Sequence, residues 1–277
     1  GCSVCSLVGL FNWNDAHHTT SEVCDVTTTS SGQIQLRYYI SDRSHLVVAV
    51  RLMLLLPHGR VKLTFSQSYI LRYRLVCLIL AVGYFLYQFI EANYNNFGIQ
   101  FRYLTIWSLT TAMVATWLLY KSKRKGLPES YLPFVSATAV LNAMVVFLYW
   151  KLYFIDPSLV NYSGSIVWFQ EYYLHILGPA LIILDALLLN NSFTQVKKGV
   201  MTILAICLFY ILWSEAVTGP LNDTPEGAVT SGLPYPFLNN MSFSERVSFY
   251  ATTIVTGLGF YVAGCILAKL KSKFLKL

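Results

Sequence analysis

Six long apolar stretches, separated by short polar loops, constrain this chain more than any other feature. They cover Leu75–Phe89, Leu104–Tyr120, Leu132–Ile155, Ile166–Leu189, Val200–Leu212 and Val247–Leu270. With their flanks, each reaches or approaches the roughly 20 residues that a helix needs to cross a bilayer core of about 30 Å. No water in that core can satisfy exposed backbone amides, so a helix is the spanning structure available to such runs. The sequence therefore predicts an all-α fold, a polytopic membrane bundle of six transmembrane helices.

The composition supports this prediction. The chain is 55% hydrophobic and only 12% charged, which is about half the charged fraction of a soluble domain. Many Trp and Tyr residues lie near the ends of the apolar stretches, where aromatic belts meet the lipid headgroups. We therefore expect an integral, multi-pass protein of an endomembrane or the plasma membrane, with the organelle left open.

The basic residues predict the orientation of the bundle. Seventeen of the 20 Lys and Arg residues lie before the first stretch, in the second–third and fourth–fifth loops, or in the carboxyl-terminal tail. Only Arg102, Lys151 and Arg246 lie near the alternate loops. By the positive-inside rule, both termini are cytoplasmic. The net charge of +7 suits a surface that faces anionic lipid, so it requires no nucleic-acid partner.

The chain before the first stretch has a different character. Residues 1–65 are rich in Ser and Thr, the chain begins with Gly, and no Met precedes Met53. We expect residues 1–65 to be a disordered or non-native tail and residues 66–277 to form the six-helix membrane domain. Three cysteines and two histidines of the tail could supply zinc ligands: Cys2, Cys5, His17, His18 and Cys24. Their spacing does not match the standard four-ligand patterns, so no metal is expected.

Polar residues inside the apolar stretches are the candidates for function, because the bilayer makes them costly. They are His175 and Asp185 in the fourth stretch and Thr105, Thr110, Thr111 and Thr116 in the second. Counting from Trp168, His175 lies about 10 Å deep, and counting from Arg102, Thr105 lies about 5 Å deep from the same side. The hydroxyl and the imidazole can therefore meet if the two helices are neighbours. Asp185 lies about 15 Å deeper than His175, on another face.

A hydroxyl beside an imidazole is the smallest set of groups that nucleophilic attack on an ester requires. Glu171, one helical turn before His175, shares its face and could orient the ring. Two other interpretations remain open at this point. A threonine in a membrane helix commonly bonds the carbonyl one turn back, and a membrane histidine can simply join two helices. The sequence carries no haem or nucleotide fingerprint, so no cofactor is expected.

Three segments resemble a known family. They are Phe101-Arg-Tyr-Leu-Thr105-Ile-Trp; His175 followed by Pro179 and Asp185; and Tyr210-Ile-Leu-Trp213 with Val217-Thr-Gly219 and Pro234-Tyr-Pro-Phe-Leu238. In this order they are similar to the androgen-induced family of six-span membrane hydrolases. The resemblance covers about two-thirds of the chain. It implies a threonine hydrolase that cleaves fatty-acid esters of hydroxy fatty acids, with Thr105 as nucleophile and His175 as base.

The chain also departs from the family pattern. Pro179 follows His175 by four residues rather than five, and the acidic Glu171 has no counterpart in the family. About ten residues are inserted between Gly219 and Pro234.

The hypothesis from sequence is an intramembrane hydrolase of lipid esters that uses Thr105 and His175, without a metal or cofactor. Its expected partners are a lipid ester substrate and the bilayer. The alternative is a non-catalytic integral membrane subunit that packs lipid or a larger membrane complex. That alternative predicts that Thr105 and His175 face different neighbours and lie more than about 6 Å apart, beyond hydrogen-bond reach, with no cavity between them.

Overall fold

The computed structural model describes residues 24–28, 34–40, 60–90, 92–128, 131–160 and 167–274, and the side chains from Ser66 to Lys273 within these ranges. Three strands precede the helices: β1 Cys24–Thr28, β2 Ile34–Ile40 and β3 Arg60–Phe65. β1 pairs with β2 in antiparallel and β2 with β3 in parallel orientation. The sequence did not predict these strands. The rest of the predicted tail lies outside the described residues, as do the side chains of the cysteines and histidines considered there as zinc ligands.

Six long helices follow the strands. They are α1 Gln67–Ile90, α2 Leu104–Lys125, α3 Leu132–Ile155, α4 Trp168–Leu189, α5 Val196–Thr218 and α6 Phe243–Phe274. Short helical turns occur in the connections at Ile99–Arg102, Pro157–Leu159, Ser192–Thr194 and Pro236–Asn239.

Five of these helices are long and apolar enough to cross a membrane: α1, α3, α4, α5 and, through Lys273, α6. That count covers the described residues. α2 has 22 residues but is less apolar, because it carries four threonines and ends in four basic residues. From Gln67 on, the described chain is helical apart from its loops. The predicted class, an all-α multi-pass membrane protein, is therefore confirmed for this part of the chain.

Local signals in the sequence explain where α2 ends and where α6 begins. Gly126 follows α2 in the left-handed conformation, with φ of 63°, which is a common way to close a helix. Ser242 and Glu245 form a capping box at the start of α6. The Ser242 amide donates to the Glu245 carboxylate at 2.7 Å, and the Glu245 amide donates to the Ser242 hydroxyl at 3.4 Å; this satisfies two amides that have no partner inside the helix.

Helix α3 is the centre of the bundle. It contacts α2, α4, α5 and α6, while α1 packs on α2 and α4. Glycines let α6 approach closely: a Cβ built on Gly257 would lie 2.5 Å from the Met144 sulfur of α3, and one on Gly264 would lie 2.4 Å from the Phe193 ring. In lipid, association of helices depends on such close packing, since the surrounding chains are as apolar as the helices.

Three wide, π-helical turns interrupt the spans. Two lie in α4, at Tyr173–Leu177 and Asp185–Leu189, and one in α5, at Trp213–Thr218. Each contains an ionisable residue: His175, Asp185 and Glu215 respectively. Such turns are rare and are often found at functional sites.

A buried ion pair joins α1 and α4. The Arg74 guanidinium donates to both Asp185 oxygens, at 2.9 and 3.0 Å, and to the Leu119 carbonyl of α2 at 3.0 Å. Asn190 donates to the same carboxylate at 2.8 Å. Arg74 is only 1% exposed. From sequence, Arg74 was placed among the charges that precede the first apolar stretch; the structure instead has it in the second turn of α1, buried in the bundle.

Removing one partner of this pair should destabilise the protein, because a buried charge is left without compensation. We expect Arg74→Met or Asp185→Asn to cost about 3–5 kcal/mol. The double variant Arg74→Met/Asp185→Leu removes both charges and should recover most of that loss. Thermal unfolding in nanodiscs measures the effect; a double variant less stable than either single one would contradict this account.

Candidate functional site

Thr105 and His175 lie in contact. The Thr105 Oγ1 atom is 3.4 Å from the His175 Nε2 atom. Thr105 is the second residue of α2, and His175 lies in the first wide turn of α4. Both helices begin at this end of the bundle, which we call the Thr105 end. The predicted meeting of hydroxyl and imidazole at similar depth therefore agrees with the structure, and the separation that the subunit alternative predicts is absent.

The Thr105 hydroxyl makes no hydrogen bond to a carbonyl of its own helix. Thr110 and Thr111 donate to the carbonyls of Ile106 and Ser108, at 2.6 and 2.9 Å. Thr105 has no such option, because the carbonyls three and four residues back lie before the helix begins. Those carbonyls also have other partners, which are Trp107 and Trp213 for Phe101 and Tyr210 for Arg102. The hydroxyl is thus left to face the imidazole.

Aromatic and acidic neighbours fix the His175 ring. The Tyr149 ring stacks on it, with centroids 3.5 Å apart and planes 9° from parallel. Trp150 donates its indole N–H to the His175 carbonyl at 3.0 Å. The Glu171 Oε2 atom lies 3.0 Å from Nδ1, as the spacing of four residues predicted. The carboxylate lies out of line with the ring N–H, so the contact is electrostatic and not an aligned hydrogen bond.

A narrow cavity extends from Thr105 into the bundle. It is lined by residues of α1, α2 and α4 and by Asn142 of α3, and it reaches Asp185. Its volume is about 20 Å³, which is room for one or two waters. Gly178 and Pro179 also line this cavity. The cavity therefore extends from Thr105, which contacts His175, to Asp185, which binds Arg74.

The loop between α5 and α6 covers the Thr105 end. The Arg102 guanidinium donates to the carbonyls of Thr224 and Gly232, and the Leu104 amide donates to the Tyr235 hydroxyl at 3.3 Å. Burial lowers the pKa of Arg102 from its ordinary value and raises the pKa of Tyr235 to about 12. Tyr235 therefore keeps its proton at neutral pH. These contacts hold the start of α2, and with it Thr105, in place.

The structure assigns different surroundings to the other polar residues singled out from sequence. Asp185 binds Arg74, Thr110 and Thr111 bond within α2, and Thr116 lines the cavity. Tyr149 was not predicted from sequence, because an aromatic residue near the end of a span is also what an interfacial belt requires. Among the residues that the structure describes, no group of three His, Cys, Asp or Glu side chains could hold a metal ion.

Comparison with known proteins agrees with this class, a helical multi-pass membrane protein. Residues 68–269 match the model of the FAR-17a/AIG1-like protein family. The chain therefore belongs to this family, the androgen-induced gene 1 family, which confirms the resemblance drawn from its motifs. No curated protein and no solved structure matches the chain.

Proposed function

We propose that this protein is an intramembrane hydrolase that cleaves lipid esters with Thr105 as nucleophile and His175 as base. The observation that carries the proposal is the 3.4 Å contact between the Thr105 hydroxyl and His175 Nε2. A nucleophile within reach of a base, with the base in turn held by a third group, is the arrangement that covalent catalysis requires. Glu171 and Tyr149 hold the ring here.

The reaction follows from these positions. His175 Nε2 accepts the Thr105 proton while the Thr105 oxygen attacks the ester carbonyl carbon. The imidazolium then returns that proton to the leaving alkoxide, which departs as the alcohol and leaves an acyl-threonine. Water, activated by His175 in the same way, attacks the acyl carbon and releases the acid and free Thr105. Glu171 stabilises the positive ring in both steps, since its carboxylate lies 3.0 Å from Nδ1.

The oxyanion formed in each step needs donors. The best placed donor is the amide of Thr105 itself. It belongs to the first turn of α2, where amides have no partner inside the helix, and no acceptor for it occurs among the described residues. The positive end of the helix dipole adds to this stabilisation.

The proposed substrates are esters that reside in the membrane. Fatty-acid esters of hydroxy fatty acids are the class that the family resemblance implies. Two observations favour a lipid over a water-soluble ester: His175 lies within an apolar span, and the cavity beside Thr105 leads into the bundle and away from its end. Water enters from the Thr105 end, where the loop between α5 and α6 lies.

The proposed topology has six spans, with both termini in the cytoplasm and the Thr105 end outside or in the lumen. We propose α2 as the sixth span. It packs against α1 and α3, and the basic residues of its last turn, Lys123 to Lys125, would lie at the cytoplasmic surface. The distribution of basic residues supports the same orientation.

Glycosylation mapping in eukaryotic cells tests this topology. An acceptor tripeptide on a flexible spacer, inserted after Ala228 in the α5–α6 loop, should receive a glycan. The same insert after Leu127, between α2 and α3, should receive none. A glycan on the second insert would show that α2 does not span in this orientation.

Labelling with a fluorophosphonate probe in native membranes tests the catalytic pair. Wild type should be labelled, and Thr105→Ala and His175→Ala should each lose at least about 99% of the labelling rate, because general-base assistance contributes about 10²–10⁴-fold. Glu171→Gln should slow labelling about tenfold, by roughly 1.4 kcal/mol. Thr110→Ala, one helical turn away and bonded within α2, is the matched control and should keep the wild-type rate.

Two results would overturn the proposal. One is a folded wild type that the probe does not label. The other is labelling that persists in Thr105→Ala, since the probe would then react with another nucleophile.

A further inference from the structure

The cavity beside Thr105 has the form of a channel that is bounded by one stripe of residues from each of three helices and by Asn142 of α3. On α2 the stripe runs from Thr105 through Ser108 or Leu109 and Ala112 to Thr116. On α1 it comprises Tyr73, Cys77 and Ala81; on α4 it comprises Leu174, Gly178, Ile182 and Asp185. Spacings of three and four residues place each set along one face of its helix. The channel is therefore parallel to the helices, with the catalytic pair near one end and Asp185 at the other.

We infer that this channel binds the acyl chain of the ester and that its polar end, Asp185 with Arg74, limits the length of that chain. The inference rests on the proposed function. When the Thr105 oxygen replaces the alkoxide on the carbonyl carbon, the alcohol leaves and the acyl chain stays linked to Thr105. That chain needs an apolar space that begins at Thr105, and the channel begins there.

The length of the channel sets the expected chain. Eleven residues separate Thr105 from Thr116, which corresponds to about 16 Å along α2. An extended chain advances about 1.2 Å per bond, so this length holds about 13 carbons. Beyond it, a methyl group would have to displace the Asp185 carboxylate, which Arg74 and Asn190 hold at 2.8–3.0 Å. The cost of separating a buried ion pair makes that end a barrier.

The width of the channel determines the type of chain. Small residues of three helices line the middle of the channel: Ala81 of α1, Ala112 of α2 and Gly178 of α4. With room for only one or two waters, it opens to a chain by shifts of the flexible side chains of Leu109, Leu174 and Ile182. A single unbranched alkyl chain fits between the helices in this way, whereas a sterol or a branched acyl group requires the helices to separate. The ester class is thus one with a straight-chain acyl half.

Ala112 gives the sharpest test. It lies seven residues past Thr105, about 10 Å along the channel, which corresponds to about eight carbons. Ala112→Phe should therefore leave kcat/KM for esters of up to about six carbons within twofold of wild type, and lower it at least tenfold for esters of 12 to 14 carbons. Val114→Phe is the matched control: it introduces the same side chain two residues on, where Val114 is 37% exposed on the outside of the bundle, and should change neither value.

The measurement is kcat/KM for p-nitrophenyl esters of 2 to 18 carbons, with full-length protein in nanodiscs. Wild type should show a maximum near 12 to 14 carbons and a fall beyond it. Ala81→Leu, on the opposite wall of the channel, provides a second variant with the same expected loss for long chains, should Ala112→Phe fold poorly. Labelling by a fluorophosphonate with short alkyl arms measures the reactivity of Thr105 independently of acyl-chain binding in the channel.

The outcomes distinguish the two proposals. If labelling is intact but both channel variants keep the wild-type chain preference, or lose all chain lengths equally, the acyl channel is wrong and the hydrolase stands. If folded wild type is not labelled at all, both proposals fail. A wild-type rate that continues to rise to 18 carbons would show that the Arg74–Asp185 pair does not limit the chain.

Discussion

The requirement that every polar group inside a bilayer find a partner within the protein governs this structure. Two ionisable pairs meet it in α4: Arg74 with Asp185, and His175 with Glu171. A third, Arg246 with Glu215, joins α6 to α5 at the Thr105 end. One residue of each pair lies in a wide helical turn: Asp185, His175 and Glu215. The wide turns are thus the places in the spans where these ionisable side chains lie.

The two pairs in α4 differ in how completely their polar atoms are hydrogen-bonded. Asp185 accepts from both Arg74 and Asn190, and these bonds use both of its oxygens. His175 keeps its Nδ1 without an aligned hydrogen bond, and its Nε2 faces a hydroxyl at 3.4 Å. The Arg74–Asp185 pair is fully hydrogen-bonded and joins α1 to α4, so its contribution is to stability. The proposed reaction needs the His175 ring to exchange a proton with Thr105, and only stacking and a nearby carboxylate hold that ring.

Much of the fold was predictable because apolar runs long enough to span a bilayer can hardly be used otherwise. The contact between Thr105 and His175 was predictable from depth, since neighbouring helices that begin at the same surface bring residues at similar depth together. Glu171 followed from its spacing of one turn. Arg74 was misassigned because a basic residue near the start of a span has the same sequence signature whether it faces the headgroups or the bundle. The wide turns of α4 and the Tyr149 stack depend on tertiary packing and leave no comparable signal.

The most direct measurement of the central claim, covalent catalysis by Thr105, is mass spectrometry of protein quenched in acid within one turnover of a long-chain ester. The account predicts a peptide that carries the substrate's acyl group on Thr105 in wild type, and no such peptide in His175→Ala. An acyl group on a different residue, or ester hydrolysis by purified wild type with no acyl-enzyme at any time point, would contradict it.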